Sequence, residues 1–176
     1  MRCLLLCAAL LAVSALAAEK NAGPAKPALP AVGHVYASDA FQPVPMTSIG
    51  DIDRLTRDFD LLDGEPLRVR REAFGGDAEA EWLVMSPERL CGTGGCLYVL
   101  FDGKTAREIG RFFGTLIVLQ RRQNGYPVIQ TISRQDESFS SLRTFVFADR
   151  QYQVDDEVLI GEAVRLRMES AIEMRH

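Results

Sequence analysis

The sequence predicts an α+β fold that is mainly β, built on an antiparallel meander sheet with an N-terminal helix and a C-terminal segment compatible with a helix. Beyond Gly64, apolar residues recur at every second position or in short runs bounded mostly by glycine, proline or polar residues, which is typical of strands. Asp-Gly and Asn-Gly pairs separate neighbouring runs, as they do in hairpins. Helical spacing occurs on either side of this stretch, and the C-terminal segment is expected to cover the sheet.

Residues 1–18 have the pattern of a secretory signal peptide. Arg2 supplies the positive charge, residues 4–13 form a short apolar run, and Ala15-Leu16-Ala17 provides small residues for cleavage. The run is shorter than the roughly 20 residues that a membrane helix needs. We therefore expect a periplasmic or secreted mature protein with no stable membrane insertion after cleavage.

Residues 19–46 are predicted to be a Pro/Ala-rich tether. Alanine, proline and glycine recur there, and this composition favours extended conformations over a packed core. Val35, Tyr36 and Phe41 are exceptions, because leaving three large apolar side chains exposed together is unfavourable. Some of them are expected to pack on the domain that follows.

Residues 47–176 are predicted to form a single globular domain that begins with a helix. Ser48 can cap this helix, which is expected over residues 49–62. Its apolar side chains recur at helical spacing: Ile52, Leu55, Phe59 and Leu62.

Strands are predicted over most of the remaining domain: residues 67–71, 82–85, 97–101, 115–119, 127–133, 144–148 and 151–154. Residues 97–101 and 116–119 are apolar on both alternating faces, so these strands should be central and covered on both sides. The tail over residues 161–174 has a helix-compatible pattern. Residues 158–160, just before it, fit one more strand equally well.

Composition and charge limit the classes of function. The chain carries 20 Lys and Arg against 24 Asp and Glu, and loss of Arg2 with the signal makes the net charge of −4 one unit more negative. A negative charge disfavours nucleic acid and anionic membrane surfaces as partners. His34 in the tether and His176 are poorly placed to act as a general base or a metal ligand in the core. We therefore predict no catalytic residue and no cofactor.

Cys91 and Cys96 are predicted to form a disulfide. Cys3 and Cys7 leave with the predicted signal, so these two remain in an oxidising compartment. A turn can bring their Cα atoms within the roughly 4.4 to 6.8 Å that a disulfide needs. Closing so small a ring stabilises the fold by about 2 kcal/mol. Four intervening residues also differ from the two of a thioredoxin-type redox pair.

The residues enclosed by this disulfide form a candidate binding loop: Gly92, Thr93, Gly94 and Gly95. Three glycines indicate positive φ angles or the close approach of another group. Two interpretations remain. The loop is either a stapled turn ahead of a central strand, or a rigid loop whose backbone N–H groups face a partner or an anion.

Two charged sets are weaker candidates. Asp77, Glu79 and Glu81 alternate along the chain, as oxygen ligands of a calcium loop do, but a later bidentate Glu is missing and an acidic surface turn is the preferred interpretation. Arg107, Arg111, Arg121 and Arg122 lie on or near neighbouring predicted strands and could form a basic strip that recognises a carboxylate or phosphate. The preferred interpretation is a solvated sheet edge, where charge deters aggregation.

The order of these motifs along the chain is similar to that in a group of known proteins. A Gly/Asp turn leads into Glu81-Trp82, then come the cysteine loop, the apolar run 98–101 and Asn124-Gly125-Tyr126-Pro127. This order resembles a group of exported bacterial proteins of unassigned function that carry a D-G-x-x-E-[WY] turn followed by a C-G-x-x-G-C loop. The resemblance covers residues 75–133, and Asp77-Ala78 stands where that group has Asp-Gly.

The cysteine loop is also similar, distantly, to the bridged C-x4-C loop of periplasmic inhibitors of vertebrate-type lysozyme, which enters the enzyme's cleft. Gly, Thr, Gly and Gly stand here in place of the Lys, Pro, His and Asp of those inhibitors. The sequence therefore predicts a periplasmic or secreted binding module that presents the disulfide-closed loop to an envelope protein or a cell-wall enzyme. A carboxylate-dependent hydrolase of the cell envelope and a purely structural envelope protein are the alternatives.

Overall fold

The structure is a computed structural model that describes residues 32–36, 38–44, 59, 65–75 and 80–173. The described chain forms an antiparallel sheet followed by one α-helix, and this confirms the predicted mainly β meander. Its strands are β1 (Val32–Val35), β2 (Gln42–Val44), β3 (Leu67–Glu72), β4 (Glu81–Met85), β5 (Cys96–Phe101), β6 (Glu108–Gln123), β7 (Tyr126–Arg134), β8 (Phe139–Ala148) and β9 (Gln151–Gly161), and helix α1 spans Glu162–Glu173.

Strands β2 to β9 lie side by side in chain order, and β6 divides them into two halves. Residues 108–114 of β6 pair with β5, whereas residues 115–123 pair with β7. β1 also pairs with the second part of β6, with Val35 opposite Ile117. The change of partner falls at Gly114, whose φ of +122° is available to glycine without a steric penalty.

The two halves of the sheet face each other across a shared core. From the first half it contains Leu83, Met85, Tyr98 and Leu100, and from the second half Leu116, Val118, Ile129 and Phe145. Aromatic rings fill its centre, since Phe112 makes edge-on contacts with both Phe145 and Tyr152.

The outer face of each half carries an apolar cluster of its own. Val84, Val99 and Phe101 pack on one side with the fully buried Phe59, and Ile117, Val128 and Ile132 pack on the other with Met168 of α1. Strands β4 to β7 are therefore buried on both faces over much of their length, as the continuous apolar runs of β5 and β6 predict.

The C-terminal region resolves an alternative that the sequence leaves open. Residues 151–154 and 158–160 belong to one strand, β9, and the helix begins immediately after it at Glu162. The predicted signal peptide and the predicted helix over residues 49–62 lie outside the described residues, apart from Phe59. In its described portion the chain has no helix that combines the length and the hydropathy needed to cross a bilayer.

Part of the segment predicted as a tether is paired with the sheet. β1 and β2 both lie within residues 19–46. Tyr36 and Phe41 are buried in the shared core, in edge-on contact with each other. The apolar side chains singled out in this segment thus do pack on the domain. The boundary at residue 47 itself stays a prediction.

Candidate functional site

The cysteine loop is closed by a disulfide and by a backbone hydrogen bond. Cys91 and Cys96 are joined, with their Cα atoms 4.3 Å apart. Inside the ring, the N–H of Gly95 donates to the carbonyl of Gly92 over 3.0 Å, which makes a tight turn with Thr93 at its tip. We call residues 91–96 the stapled loop. A six-residue segment with two independent closures has few conformations left, so the loop is rigid.

The stapled loop lies between two regular elements of secondary structure. Before the loop, residues Glu88–Leu90 form a 3-10 turn in which the N–H of Cys91 donates to the carbonyl of Glu88 over 2.9 Å. After it, Cys96 is the first residue of β5. The stapled loop therefore connects two regular elements without a flexible joint.

The loop rests directly on β6 at Gly114, where the strand changes its pairing partner. Cys96 is opposite Gly114 in the register, and Leu97 is opposite Phe113. Gly94 lies over the ring of Phe113, since a Cβ built on Gly94 would lie 3.1 Å from Cε1 of that ring. The same Cβ position is 3.5 Å from the carbonyl oxygen of Arg134, so the loop also abuts the end of β7.

Exposed apolar side chains flank the loop. Gly92 and Thr93 are exposed, while Leu90 on one side and Phe113 on the other keep 38% and 43% of their surface in contact with solvent. We call Leu90, Phe113 and residues 92–94 the stapled-loop surface. Sequence reasoning found the loop but missed Leu90 and Phe113, because nothing local shows that Phe113 lies beneath a glycine 19 positions earlier.

Ser86 holds the disulfide against the fold. This residue is 1% exposed, and its Oγ lies 3.6 Å from Sγ of Cys91. Its Oγ accepts the N–H of Leu97 over 3.1 Å, and its own N–H donates to the carbonyl of Leu97. The sulfur side of the ring thus faces buried structure, and the glycine side faces outward.

Glu81, one of the three residues of the predicted acidic turn, has a structural role. Its carboxylate is 2% exposed and accepts the N–H groups of Phe74 over 2.8 Å and Gly75 over 3.1 Å. Asp77 and Glu79 lie outside the described residues. Both oxygens of Glu81 are therefore engaged in closing the connection from β3 to β4. Among the described residues no three His, Cys, Asp or Glu side chains form a group that could hold a metal ion.

The four arginines of the predicted basic strip are placed at opposite ends of β6. Arg107 and Arg111 lie at its start, where Arg107 donates to the carbonyl of Arg150 and Arg111 makes two hydrogen bonds to Glu108. Arg121 and Arg122 lie near its end, where Arg122 donates to the carbonyl of Phe74 over 2.8 Å. The structure does not bring the two pairs together, and the guanidinium groups of Arg107, Arg111 and Arg122 hydrogen-bond to other groups of this chain.

A shallow cleft of about 390 Å³ lies beside the 3-10 turn that precedes the loop. Two ion pairs cross it, Arg68 with Glu88 and Arg89 with Glu65. Three prolines complete the lining: Pro43, Pro66 and Pro87. Its residues come from three separate parts of the sequence, so no sequence signal marks it. Its charges are already paired, which leaves the stapled-loop surface as the stronger candidate.

Comparison with known proteins adds no assignment. No protein-family model, curated protein or solved structure matches the chain. The candidate site therefore rests on its own geometry.

Proposed function

We propose that this protein is an exported binding module that recognises an envelope protein, such as a cell-wall enzyme, through the stapled-loop surface. One observation carries the proposal: the loop is held by a disulfide, a backbone hydrogen bond and its contact with Gly114 of β6, and its tip is nevertheless exposed. A loop that is already ordered loses little conformational entropy when it binds, and this favours recognition.

The chemistry of the surface supports a protein partner. The loop offers main-chain N–H and C=O groups with Thr93 as its largest side chain, and Leu90 and Phe113 frame it with apolar area. Interfaces between proteins combine such apolar anchors with a polar rim, and aromatic residues are enriched at their centres. A partner with a narrow cleft could admit the glycine loop and cover Phe113.

Site-specific photo-crosslinking in living cells tests the proposal. A photoreactive amino acid at position 93 should give one discrete adduct with an envelope protein, which mass spectrometry identifies. Position 104 is the matched control, because Lys104 is exposed in the turn at the far end of β5, about 20 Å away along the strand. Identical adduct patterns from the two positions would contradict the proposal.

A second variant separates recognition from folding. Phe113→Ser removes the exposed ring beside the loop while the backbone contact between Gly95 and Gly114 stays in place. The position-93 adduct should then decrease at least about tenfold, the range of a central interface residue. Unfolding of the purified variant in urea serves as the check on its fold. A folded Phe113→Ser protein that forms the adduct at the wild-type level would refute the role of this surface.

A further inference from the structure

Strand β9 has an edge with no strand beside it. β8 pairs with β9 along its whole length, with a register shift at Asp155, and β9 is the last strand in the sheet order. Tyr152, near its start, is buried in the shared core, but residues 154–159 are all exposed. No described strand pairs with β9 on the side opposite β8. An edge of this kind presents unpaired N–H and C=O groups to solvent.

Apolar side chains accompany this open edge. Val154, Val158 and Leu159 are 55%, 43% and 68% exposed. Phe139 of β8, 49% exposed, pairs with Gly161, and Ser141 pairs with Leu159, so Phe139 and Leu159 lie on the same face of neighbouring strands. Edges are protected from aggregation by shortness, charged side chains or bulges, and β9 has an acidic run and a bulge at residues 155–157. The edge is nevertheless long, at 11 residues, and carries large exposed apolar side chains on either side of that run.

The charge of the edge indicates the kind of partner. Asp155, Asp156 and Glu157 are consecutive, and Glu157 forms an ion pair with Arg143 at 2.9 Å and accepts the Ser141 hydroxyl at 2.6 Å. Within the described residues, Asp155 and Asp156 form no ion pair. A second copy of this chain would bring a second acidic run against the first, and both chains carry net negative charge. Like charges across strands are destabilising, so a basic partner is favoured.

We propose that β9 accepts an extended, lysine- or arginine-bearing segment of another protein as an additional strand. Main-chain hydrogen bonds along residues 154–159 would hold the segment, its cations would face the carboxylates of β9, and its apolar side chains would contact Val158 and Leu159. This surface is separate from the stapled loop, and the inference does not depend on the function proposed for that loop.

Titration of the purified protein with short synthetic peptides tests the inference by NMR. The probe is an acetylated and amidated peptide that alternates Lys with Val, and the control peptide has Glu in place of Lys. We expect the Lys peptide to shift the backbone amides of residues 154–159 and the Glu peptide to leave them unchanged. Absence of binding by the Lys peptide, equal binding of both peptides, or shifts confined to other strands would overturn the proposal.

Two N-methylated versions of the Lys peptide, methylated on alternate residues, test the main-chain hydrogen bonds. Successive N–H groups of a strand point to opposite sides, so one version should lose binding and the other should keep it. If both bind like the unmethylated peptide, or if both lose binding equally, strand addition is wrong.

Protein variants complete the test. Asp155→Asn/Asp156→Asn should weaken binding of the Lys peptide about threefold to tenfold at low salt, because each exposed charge pair contributes modestly. Asp39→Asn/Glu137→Gln removes two exposed carboxylates outside β9 and should leave the affinity unchanged. Thr93→Arg should also leave it unchanged, which distinguishes this site from the stapled loop. If the Asp155/Asp156 and Asp39/Glu137 variants weaken peptide binding equally, the weakening is explained by the smaller net negative charge of the protein, and the inference is contradicted.

Discussion

Gly95 lies directly against the backbone of Gly114. A Cβ on Gly95 would be 2.4 Å from the carbonyl carbon of Gly114, and Gly95 has a φ of +104°. Gly114 is equally crowded on its other side, where a Cβ would be 2.4 Å from the carbonyl oxygen of Ile132. The stapled loop, β6 and β7 are therefore in backbone contact at one place, and this contact sets the position of the loop.

The first prediction concerns this contact. Gly95→Ala should lower the free energy of unfolding by about 2–4 kcal/mol, because the methyl group overlaps the Gly114 backbone and the positive φ is strained for alanine. Urea unfolding followed by circular dichroism measures the loss. Gly92→Ala is the control, since nothing lies within 4 Å of the added Cβ, and it should change the stability little. Equal effects of the two substitutions would show that the contact is absent in solution.

The second prediction concerns the disulfide. If the protein is exported and cleaved as proposed, mass spectrometry of the mature chain should find two hydrogens fewer than in the reduced chain and no thiol that can be alkylated under native conditions. Cys91→Ser/Cys96→Ser should lower the free energy of unfolding by about 2 kcal/mol, the value expected for so small a ring, and leave the sheet folded. Alkylation of both Cys91 and Cys96 in the native protein under oxidising conditions would contradict the disulfide.

The third prediction concerns the buried carboxylate of Glu81. Glu81→Gln should lower the free energy of unfolding by about 1–3 kcal/mol, because an amide can accept only one of the two N–H groups and turns a donor toward the other. Glu88→Gln tests the general effect of removing a carboxylate. Its side chain is 59% exposed in an ion pair, and its substitution should cost less than about 1 kcal/mol. Equal losses would argue against the role of Glu81 in the turn.

The fourth prediction concerns pH. The pKa of Asp102 lies below its usual value, mainly because the backbone N–H of Thr105 donates a hydrogen bond to its carboxylate. The Thr105 hydroxyl makes the next largest contribution, and the Lys104 N–H and the charge of Arg107 add smaller ones. A lowered folded-state pKa means that the stabilisation is fully present above the pKa of the unfolded aspartate, about 3.9, and is lost as the pH falls through the folded value.

Chemical denaturation from about pH 6 to about pH 2 should therefore show wild type more stable than Asp102→Asn at the higher pH, with the difference shrinking in acid. Lys104→Ala keeps the backbone N–H that bonds Asp102 and should follow the wild-type dependence. A difference between wild type and Asp102→Asn that is constant over this range would show that the Asp102 hydrogen bonds do not form.

Much of the strand order could be predicted because it depends on local signals. Residues 97–101 are apolar on both faces, and this indicates a central strand whatever its neighbours are. The extent of β6 could not be predicted in the same way. Gly110 and Gly114 interrupt the apolar pattern, so the sequence marks only residues 115–119, whereas the strand runs from Glu108 to Gln123. Its first part is a strand because β5 pairs with it.

The candidate site likewise has a part that the sequence predicts and a part that depends on strand pairing. Cys91 and Cys96 are close in sequence, so their pairing and the enclosed glycines could be read directly. The seat of the loop on Phe113 and Gly114 depends on the register between β5 and β6, which no short motif encodes. The separation of Arg111 from Arg121 follows equally from β6 being one long strand, with the two residues in different halves of the sheet.

The position of Gly114 has a consequence for ligand binding. Gly114, which contacts the loop, is also the residue at which β6 changes its partner from β5 to β7, so a molecule that holds the loop against Phe113 would also stabilise the junction between the two halves of the sheet. Binding of a ligand to the loop and the free energy of unfolding of the domain would then be linked. If the proposed partner binds the loop in this position, it should raise the melting temperature of the whole domain.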